Sequence, residues 1–336
     1  MGSNDRSVEI ARATLLVYIN FHEVNFMDRR SIRNTAKRGL YQVFRLGQRA
    51  GFDLLPRHFY SSVPDIGQLS KSQYWRAPLE MTGVNGTHLE EQLAFATECC
   101  TAELRQRLKT MNLMEYGTRE NGEVGYGPIE ADFLYCFIHT KKPLQVVQVG
   151  AGFSTAIILR AAADAGYDVK LTAIDPFPTD YLQRMHTSGR IKLIHEKAQT
   201  VDRDRLIDID ANGLLFVDST HTVKPGSEVN RIILDVLPRL KHGVFVHFHD
   251  IYFPYDYQRN LMREPLFWSE STLLHAFLID NARFTIRCAL SMLHYGASAK
   301  LQEILSNYRP QLGHDGVIDD DDAGHFPSAC YLEVIA

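Results

Sequence analysis

The sequence has few cysteines and no paired cysteine motif. Its 336 residues include five cysteines, and these form neither a CxxC pair nor the spacing of a zinc ribbon. An odd number of cysteines without such a framework indicates reduced, mostly buried thiols. The sequence therefore predicts a cytoplasmic protein without structural disulfides.

Long apolar runs, internal repeats and blocks of charge are absent as well. The segment ATLLVYI is too short to span a bilayer, and no basic flank precedes it as in a signal peptide. Lysine and arginine are scattered along a chain whose formal net charge is -4. This balance gives no reason to expect nucleic acid or an anionic membrane as a partner.

Helical patterns dominate residues 1–120. Apolar residues recur at spacings of three and four in VEIARATLLVYINF, SIRNTAKRGLYQVFRLGQRAG and HLEEQLAFATECCTAELRQRLKTM. Glycine and polar residues cluster at 118–128 and mark a boundary. We therefore expect a mainly helical region over 1–120 and a separate domain over 121–336.

The second region alternates between strand and helix patterns. LQVVQVG, VKLTAID, IKLIHEKA, GLLFVDS and GVFVHFHD predict buried strands, while FSTAIILRAAADAG and SEVNRIILDVLPRL predict helices. RFTIRCAL and SACYLEVI predict two more strands. Apolar strands separated by helices indicate a parallel sheet covered on both faces. Because such sheets bind ligands beyond the C-terminal ends of their strands, the residues after each strand are the candidate site.

A glycine turn, GAGFST at residues 150–155, follows the first of these strands. A dinucleotide-binding turn needs a third glycine where Thr155 stands, and the GK[ST] of a P-loop is missing. The second strand ends at Asp175, whose carboxylate can accept hydrogen bonds from both hydroxyls of a ribose. The alternative to ligand binding is that the glycines form an ordinary tight turn and that Asp175 only starts the turn before Pro176.

These motifs together resemble a known family. The sequence resembles the class I S-adenosylmethionine (SAM)-dependent methyltransferases, and within them the bacterial group often labelled family 24. The resemblance rests on a strand–GxG–helix motif, a strand that ends in Asp, LLFVDSTH and GVFVHFHDIY. The resemblance covers residues 125 to about 290. It implies a Rossmann-like, seven-stranded, mostly parallel sheet with helices on both faces, here with an N-terminal helical region added.

The resemblance also implies SAM as cofactor, with the glycines letting the backbone approach its methionine and ribose portions. The implied contacts are Gly150, Gly152, Ser154, Asp175 and Asp218. Gln148 stands where similar proteins usually carry Glu or Asp, and its amide can still bind an amine.

In similar proteins a segment at the place of YGPIEAD closes over the methionine end of SAM. Glu130 is the candidate for the methionine ammonium, and Tyr126 for its cover. The alternative for Glu130 is a helix N-terminal residue favoured by the helix dipole.

Acidic and histidine side chains follow two neighbouring strands. FVDSTH and VHFHD bring the residues Asp218, His221, His247, His249 and Asp250. In one chemistry, His249 or His221 removes a proton from the acceptor, since the histidine pKa lies near neutral pH. In the other, Asp218, His249 and Asp250, with His221 or His247 as weaker candidates, hold a divalent ion such as Mg²⁺, Mn²⁺ or Fe²⁺ that acidifies the acceptor hydroxyl.

Three functions remain open from the sequence. The first is a methyltransferase acting on a hydroxyl, or an amine, of a small molecule in bacterial secondary or sugar metabolism. Residues 1–120 would then cap the acceptor site or form a homodimer interface. The second is a metal-dependent oxygenase or hydroxylase on the same fold, because two histidines with a carboxylate can form an iron site. The third is a scaffold protein that has lost catalysis.

Overall fold

The computed structural model describes residues 26–57, 59–264, 266–311, 317 and 323–336, and it divides the chain into two units, Met1–Pro64 and Asp65–Ala336. The first unit contains helix α1, Phe26–Arg49, which confirms the second helical pattern of the sequence. VEIARATLLVYINF lies outside the described residues. Seven of the 24 residues of α1 are basic and one is acidic, so basic charge is more concentrated here than the scattered pattern suggested.

Eleven further α-helices occur among the described residues of the second unit, and none of the described helices is both long and apolar enough to cross a bilayer. They are α2 Ile66–Leu69, α3 Leu89–Cys99, α4 Ala102–Leu108, α5 Leu113–Asn121, α6 Pro128–Lys141, α7 Phe153–Asp164, α8 Asp180–Thr187, α9 Asp204–Ile207, α10 Glu228–Arg231, α11 Glu270–Leu278 and α12 Leu290–Ile304.

Seven strands form one sheet in the order β3-β2-β1-β4-β5-β7-β6. They are β1 Gln145–Val149, β2 Lys170–Ile174, β3 Lys192–Ile194, β4 Leu214–Val217, β5 Phe245–Phe248, β6 Phe284–Ala289 and β7 Cys330–Val334. β7 runs antiparallel to both neighbours, and the pairs among β1 to β5 are parallel. The predicted seven-stranded, mostly parallel sheet is confirmed.

Alternate residues of each strand enter two different hydrophobic cores. On β1, Val146 belongs to the core that includes α6 and α7, whereas Val147 belongs to the core that includes α10 and α11. Successive strand side chains point to opposite faces, so each core covers one face of the sheet. This double coverage explains why the strands are apolar throughout rather than alternating.

The division of the chain at Pro64 and Asp65 differs from the boundary expected near residue 120. Helices α3, α4 and α5 bury Leu93, Leu104 and Leu113 in the same core as α6 and α7. A sequence pattern shows that a helix has an apolar stripe without showing which neighbour covers the stripe.

Two predicted helices are interrupted. The pattern that starts at Leu89 is divided into α3 and α4, because Cys100 leaves helical geometry and the Thr101 side chain caps the next helix by accepting the Leu104 N–H at 3.3 Å. SEVNRIILDVLPRL forms α10, a π-helical turn and a 3₁₀ turn that contains Pro238. Proline has no N–H for the α-helical ladder, so a regular helix cannot continue there.

Candidate active site

Strand register places the predicted site residues in one row. Val149 pairs with Ile174 on one side and with Val217 on the other, and Val217 pairs with Phe248. The residues that follow these four strand ends are therefore level with one another: Asp175, Gly150, Asp218 and His249, in the order β2, β1, β4 and β5. Parallel strands thus bring four distant sequence positions to one edge of the sheet.

The glycine turn lies directly against the end of β4. Gly150 has φ +76°, and a Cβ atom there would lie 1.6 Å from the carbonyl oxygen of Asp218. Only glycine can combine this left-handed backbone with such a close approach. Gly152 also has positive φ, and its N–H donates to the Thr155 hydroxyl at 3.0 Å. Thr155, which excluded a dinucleotide turn, therefore holds this turn in shape.

Gln148 lies behind the turn, so the structure does not support the prediction that it contacts the cofactor. Its side chain is fully buried, and its amide nitrogen donates to the Ser154 hydroxyl at 2.7 Å. Its amide oxygen accepts the Thr155 hydroxyl at 2.8 Å. Both ends of the amide are thus used to fasten the first turn of α7. A charged side chain at this position would lie buried against the hydroxyls of Ser154 and Thr155.

Asp175 joins the ends of β1 and β2 through both carboxylate oxygens. Oδ2 accepts the Ala151 N–H at 3.0 Å, and Oδ1 accepts the Phe177 N–H at 2.7 Å. A carboxylate oxygen has two lone pairs, so each oxygen can accept one more hydrogen bond. Asp175 is partly exposed to the adjacent cleft. It is therefore oriented by the backbone and still available to a ligand hydroxyl.

A cleft of about 320 Å³ opens over the glycine turn. Its lining combines the turn and strand ends with the segment after α5: Asn121, Glu123, Val124, Gly125, Gly150, Ala151, Gly152, Phe153, Ser154, Asp175, Phe177, Thr179 and Asp218. Phe177 is 82% exposed and Val124 66% exposed, which gives the cleft two apolar walls. The Thr179 hydroxyl donates to Asn121 Oδ1 at 2.9 Å and ties these two sides together.

Several of these lining residues are not among those predicted from the sequence. Phe177 and Thr179 lie within five residues of Asp175, so their place after a strand end was a usable signal. Asn121 comes more than twenty residues before β1 and carried no such signal. It reaches the cleft because α5 packs on α7 and on α8.

Four of the predicted acid and histidine side chains meet beside the cleft, and we call Asp218, His221, His249 and Asp250 the His/Asp cluster. His221 Nε2 lies 3.5 Å from Asp218 Oδ1 and 3.6 Å from Asp250 Oδ2. His249 Nδ1 lies 3.5 Å and 3.3 Å from the same two oxygens. Asp218 also lines the cleft, so it connects the two halves of the site.

The backbone is strained at two members of the cluster. His221 has φ +57° and Asp250 has φ +55°, a left-handed region that non-glycine residues seldom adopt. Such conformations cost of order 1–3 kcal/mol and tend to occur at functional sites. The strain sets the direction of both side chains toward the cluster.

Charges within the cluster keep both histidines protonated. Burial disfavours the cation, but the carboxylates of Asp218 and Glu270 outweigh burial and raise the pKa of His221 to about 10. The pKa of His249 is likewise raised, against its burial, by the charges of Asp250 and Asp218. Burial opposes ionisation of Asp218, but the charge of His249 holds its pKa well below the ordinary value. Without another cation in the cluster, neither histidine has the near-neutral pKa that a base requires.

The donor set fits a divalent metal ion. One ligand atom each from Asp218, His221 and His249 lies within 4.8 Å of the others. His249 Nδ1 is buried and makes no hydrogen bond to any residue that the structure describes. An orphaned imidazole nitrogen between two carboxylates matches the ligands preferred by Mn²⁺, Fe²⁺ and Zn²⁺.

His247 lies outside the cluster, contrary to its prediction as a weaker metal ligand. Its ring stacks on Phe216 with 4.0 Å between centroids, and its Nε2 lies 2.9 Å from the Tyr126 hydroxyl. Burial lowers the pKa of His247 well below its ordinary value, which keeps the ring neutral. The strand alternation does place His247 and His249 against the same tyrosine ring. Only His249, beyond the end of β5, reaches the carboxylates.

Tyr126 and Glu130 lie beneath the cluster rather than along the cleft that the cofactor prediction assigned to them. The Tyr126 ring stacks on His249 at 4.6 Å, and its hydroxyl is engaged by His247. Glu130 Oε1 accepts the Ser328 N–H at 2.8 Å, while the Ser328 hydroxyl donates to Asp250 Oδ1 at 2.8 Å. Burial is the main cause that raises the pKa of Glu130. These residues support the cluster from the inside.

A family model described as "Methyltransferase domain", of the family numbered 24, matches residues 147–251. This segment contains the end of β1, all of β2 to β5, the glycine turn and the His/Asp cluster. The match covers about a third of the chain, and over these residues it agrees with the resemblance found in the sequence.

Other comparisons found further proteins that are similar to this chain. An uncharacterized protein of Archaeoglobus fulgidus is 27% identical over 185 residues, which are 52% of this chain and 80% of that protein. The S-adenosylhomocysteine (SAH)-bound Podospora anserina methyltransferase PaMTH1 is similar at 11% identity, with a TM-score of 0.40 over 70% of this chain and 97% of that chain. The branched-chain polyamine synthase of Thermus thermophilus is similar at 14% identity, with a TM-score of 0.38 over 69% and 63%.

Proposed function

We propose that this protein transfers a methyl group from SAM to a hydroxyl group of a small molecule. The observation that supports the proposal best is the position of Asp218. This residue lines the cleft above the glycine turn and also belongs to the His/Asp cluster. A donor in the cleft and an acceptor at the cluster would therefore meet at one residue.

The cleft offers separate contacts for each part of SAM. Asp175 is oriented to accept hydrogen bonds from the ribose hydroxyls, and the glycine turn leaves room for the backbone to approach the ligand. The apolar walls formed by Phe177 and Val124 suit a flat adenine ring. When bound, SAM supplies an activated methyl group on a sulfonium. The chain then has to align the acceptor and remove its proton.

The His/Asp cluster is the device that would remove this proton. Asp218, His221 and His249 would hold a divalent ion, with Asp250 beside them, and such an ion makes a coordinated hydroxyl more acidic. Without an ion, His249 could accept a proton only after losing the one that Asp218 and Asp250 stabilise. The donor geometry therefore favours metal-assisted deprotonation over a free histidine base.

Aromatic side chains beside the cluster suit a small organic acceptor. The Trp268 ring lies 4.7 Å from that of His221, and the Tyr252 hydroxyl donates to Asp250 Oδ1 at 3.2 Å. An amine acceptor is the alternative to a hydroxyl. Association into a homodimer, and the absence of nucleic-acid and membrane partners, stay predictions of the sequence.

Calorimetric titration of SAH into the metal-stripped protein tests the proposal. We expect micromolar binding, and a loss of roughly 10- to 100-fold in Asp175→Ala, because hydrogen bonds to a charged group contribute about 1.5–3 kcal/mol. Asp180→Ala is the matched control, since this exposed aspartate in the first turn of α8 lies outside the cleft. A wild-type protein that binds no SAH, with or without Mn²⁺, would refute the methyltransferase function.

A metal-dependent oxygenase is the second candidate, and one observation favours it. Two histidines and one carboxylate with ligand atoms within 4.8 Å also match the ligand set of non-haem iron oxygenases. Metal analysis of the purified protein, combined with oxygen consumption in the presence of Fe²⁺ and candidate acceptors, separates the two. Oxygen uptake without SAH binding would favour the oxygenase.

A further inference from the structure

The start of helix α11 holds the backbone of His221 in its strained conformation. The N–H groups of Ser269 and Glu270 both donate to the His221 carbonyl oxygen, at 2.9 and 3.1 Å. The Ser269 hydroxyl accepts the Val223 N–H at 3.0 Å, which fastens the other side of the same loop. Two hydrogen bonds thus join the start of a helix far along the chain to the residue that carries the left-handed φ, and a third joins it to Val223 in the same loop.

The side chain of Glu270 continues this contact to the imidazole ring. Its Oε2 lies 2.9 Å from His221 Nδ1, and the residue is only 1% exposed. Its second oxygen, Oε1, is buried and accepts no hydrogen bond from the residues that the structure describes. The carboxylate is therefore directed at one partner, the Nδ1 atom that faces away from the cluster.

We propose that Glu270 is a positioning residue that accepts the Nδ1 proton of His221 and so presents Nε2 to Asp218 and Asp250. A neutral imidazole has one donor and one acceptor nitrogen, and the partner of one nitrogen decides the state of the other. With Nδ1–H committed to Glu270, Nε2 is the nitrogen whose proton a metal ion would replace, and this atom lies 3.5 Å from Asp218. This assignment rests on the proposed function, in which His221 serves the cluster as a ligand.

A carboxylate behind a ligating histidine orients the ring and makes it a better ligand, and its loss usually lowers metal affinity by 10- to 100-fold. We therefore expect Glu270→Met, which keeps the volume and removes the acceptor, to bind Mn²⁺ about 10- to 100-fold more weakly than wild type. Glu270→Gln retains an oxygen that can accept the Nδ1 proton, so it should restore most of the affinity. A purely structural ion pair would instead lower thermal stability in both variants and leave Mn²⁺ binding unchanged.

The matched control is Glu228→Met. Glu228 is also buried, and its carboxylate accepts the Thr220 N–H at 3.0 Å, one residue before His221. It acts on the same loop through the backbone and not through the imidazole. This variant should lose stability and keep the Mn²⁺ affinity of wild type within about twofold.

Nitrogen-15 NMR of histidine-labelled protein provides a readout that does not need metal or turnover. Wild type and Glu270→Gln should show a hydrogen-bonded Nδ1 proton that disappears in His221→Asn, which assigns it, and in Glu270→Met. Persistence of this signal in Glu270→Met, or unchanged Mn²⁺ affinity there, would overturn the proposal. If Glu270→Met fails to fold, absence of the signal from both wild type and Glu270→Gln is the contrary result. A parallel SAH titration of wild type reports separately on the proposed function.

Discussion

Gly150→Ala is the substitution for which the structure makes the sharpest prediction. The new Cβ atom would lie 1.6 Å from the Asp218 carbonyl oxygen, and real Cβ contacts are essentially never shorter than 3.0 Å. The carbonyl must therefore move by about 1.4 Å. We expect this movement to disturb the hydrogen bond from the Asp218 N–H to the Val149 carbonyl, now 2.9 Å, at the junction of β1 and β4.

The expected cost has two parts. The left-handed backbone costs about 1–2 kcal/mol for any residue with a Cβ atom. Disturbing the hydrogen bond between the Asp218 N–H and the Val149 carbonyl adds about 1–3 kcal/mol, the cost of leaving a buried polar group without a partner. We expect Gly150→Ala to lower the free energy of unfolding by about 2–5 kcal/mol. SAH binding should fall by more than tenfold, because Asp218 and the turn move together.

Gly166→Ala separates the two parts. Gly166 follows α7 with a similar φ of +71°, yet an added Cβ atom there would have no neighbour within 4 Å. It should therefore cost only the backbone term, about 1–2 kcal/mol, and leave SAH binding unchanged. Chemical denaturation and calorimetry of both variants make the comparison. Equal stability of the two, with SAH affinity intact in Gly150→Ala, would refute the close approach as the reason for glycine.

Two further predictions concern a buried acid and an exposed aromatic residue. Burial raises the pKa of Asp132 from 3.8 to about 6. The protonated carboxyl therefore contributes to the free energy of unfolding below pH 4, and this contribution is lost as the pH rises through about 6. Asp132→Asn should therefore be more stable than wild type above pH 6, by up to about 3 kcal/mol, and denaturation at pH 4 and pH 7.5 checks that the gain vanishes in acid. Phe177→Ala should change the free energy of unfolding by no more than about 0.5 kcal/mol, because this ring is 82% exposed in the cleft. It should weaken SAH binding roughly tenfold, because the ring forms an apolar wall of the cleft. Unchanged SAH affinity by calorimetry would contradict this role.

The predictable part of the site consisted of residues directly after strands. Asp175, Asp218 and His249 could be placed because apolar runs identify buried parallel strands, and the ends of such strands meet at one edge. Helix α7 was equally accessible to prediction, since its apolar pattern ends at Gly166 with a left-handed backbone. In each case the information lies within about ten residues of the chain.

The direction in which side chains point was much less accessible. Gln148 and His247 lie on strands, where successive side chains point to opposite faces of the sheet. The sequence pattern does not show whether a ligand or the hydrophobic core lies on the face to which each side chain points. The helices before residue 121 were assigned to a separate region because their partners, α6 and α7, lie further along the chain. Packing of these helices against α6 and α7 therefore joins them to the second unit, although glycine and polar residues cluster at 118–128.

The sequence by itself determined the apolar strands, the glycine turn and the acids and histidines that follow the strands, because period, strand ends and turn chemistry are local properties. Tertiary structure alone decided that Tyr126 and Glu130 support the cluster from within and that Glu270 reaches His221 across 49 positions. A hydrogen bond depends on distances of about 3 Å. Between residues far apart in sequence, only the packed helices and sheet set such distances.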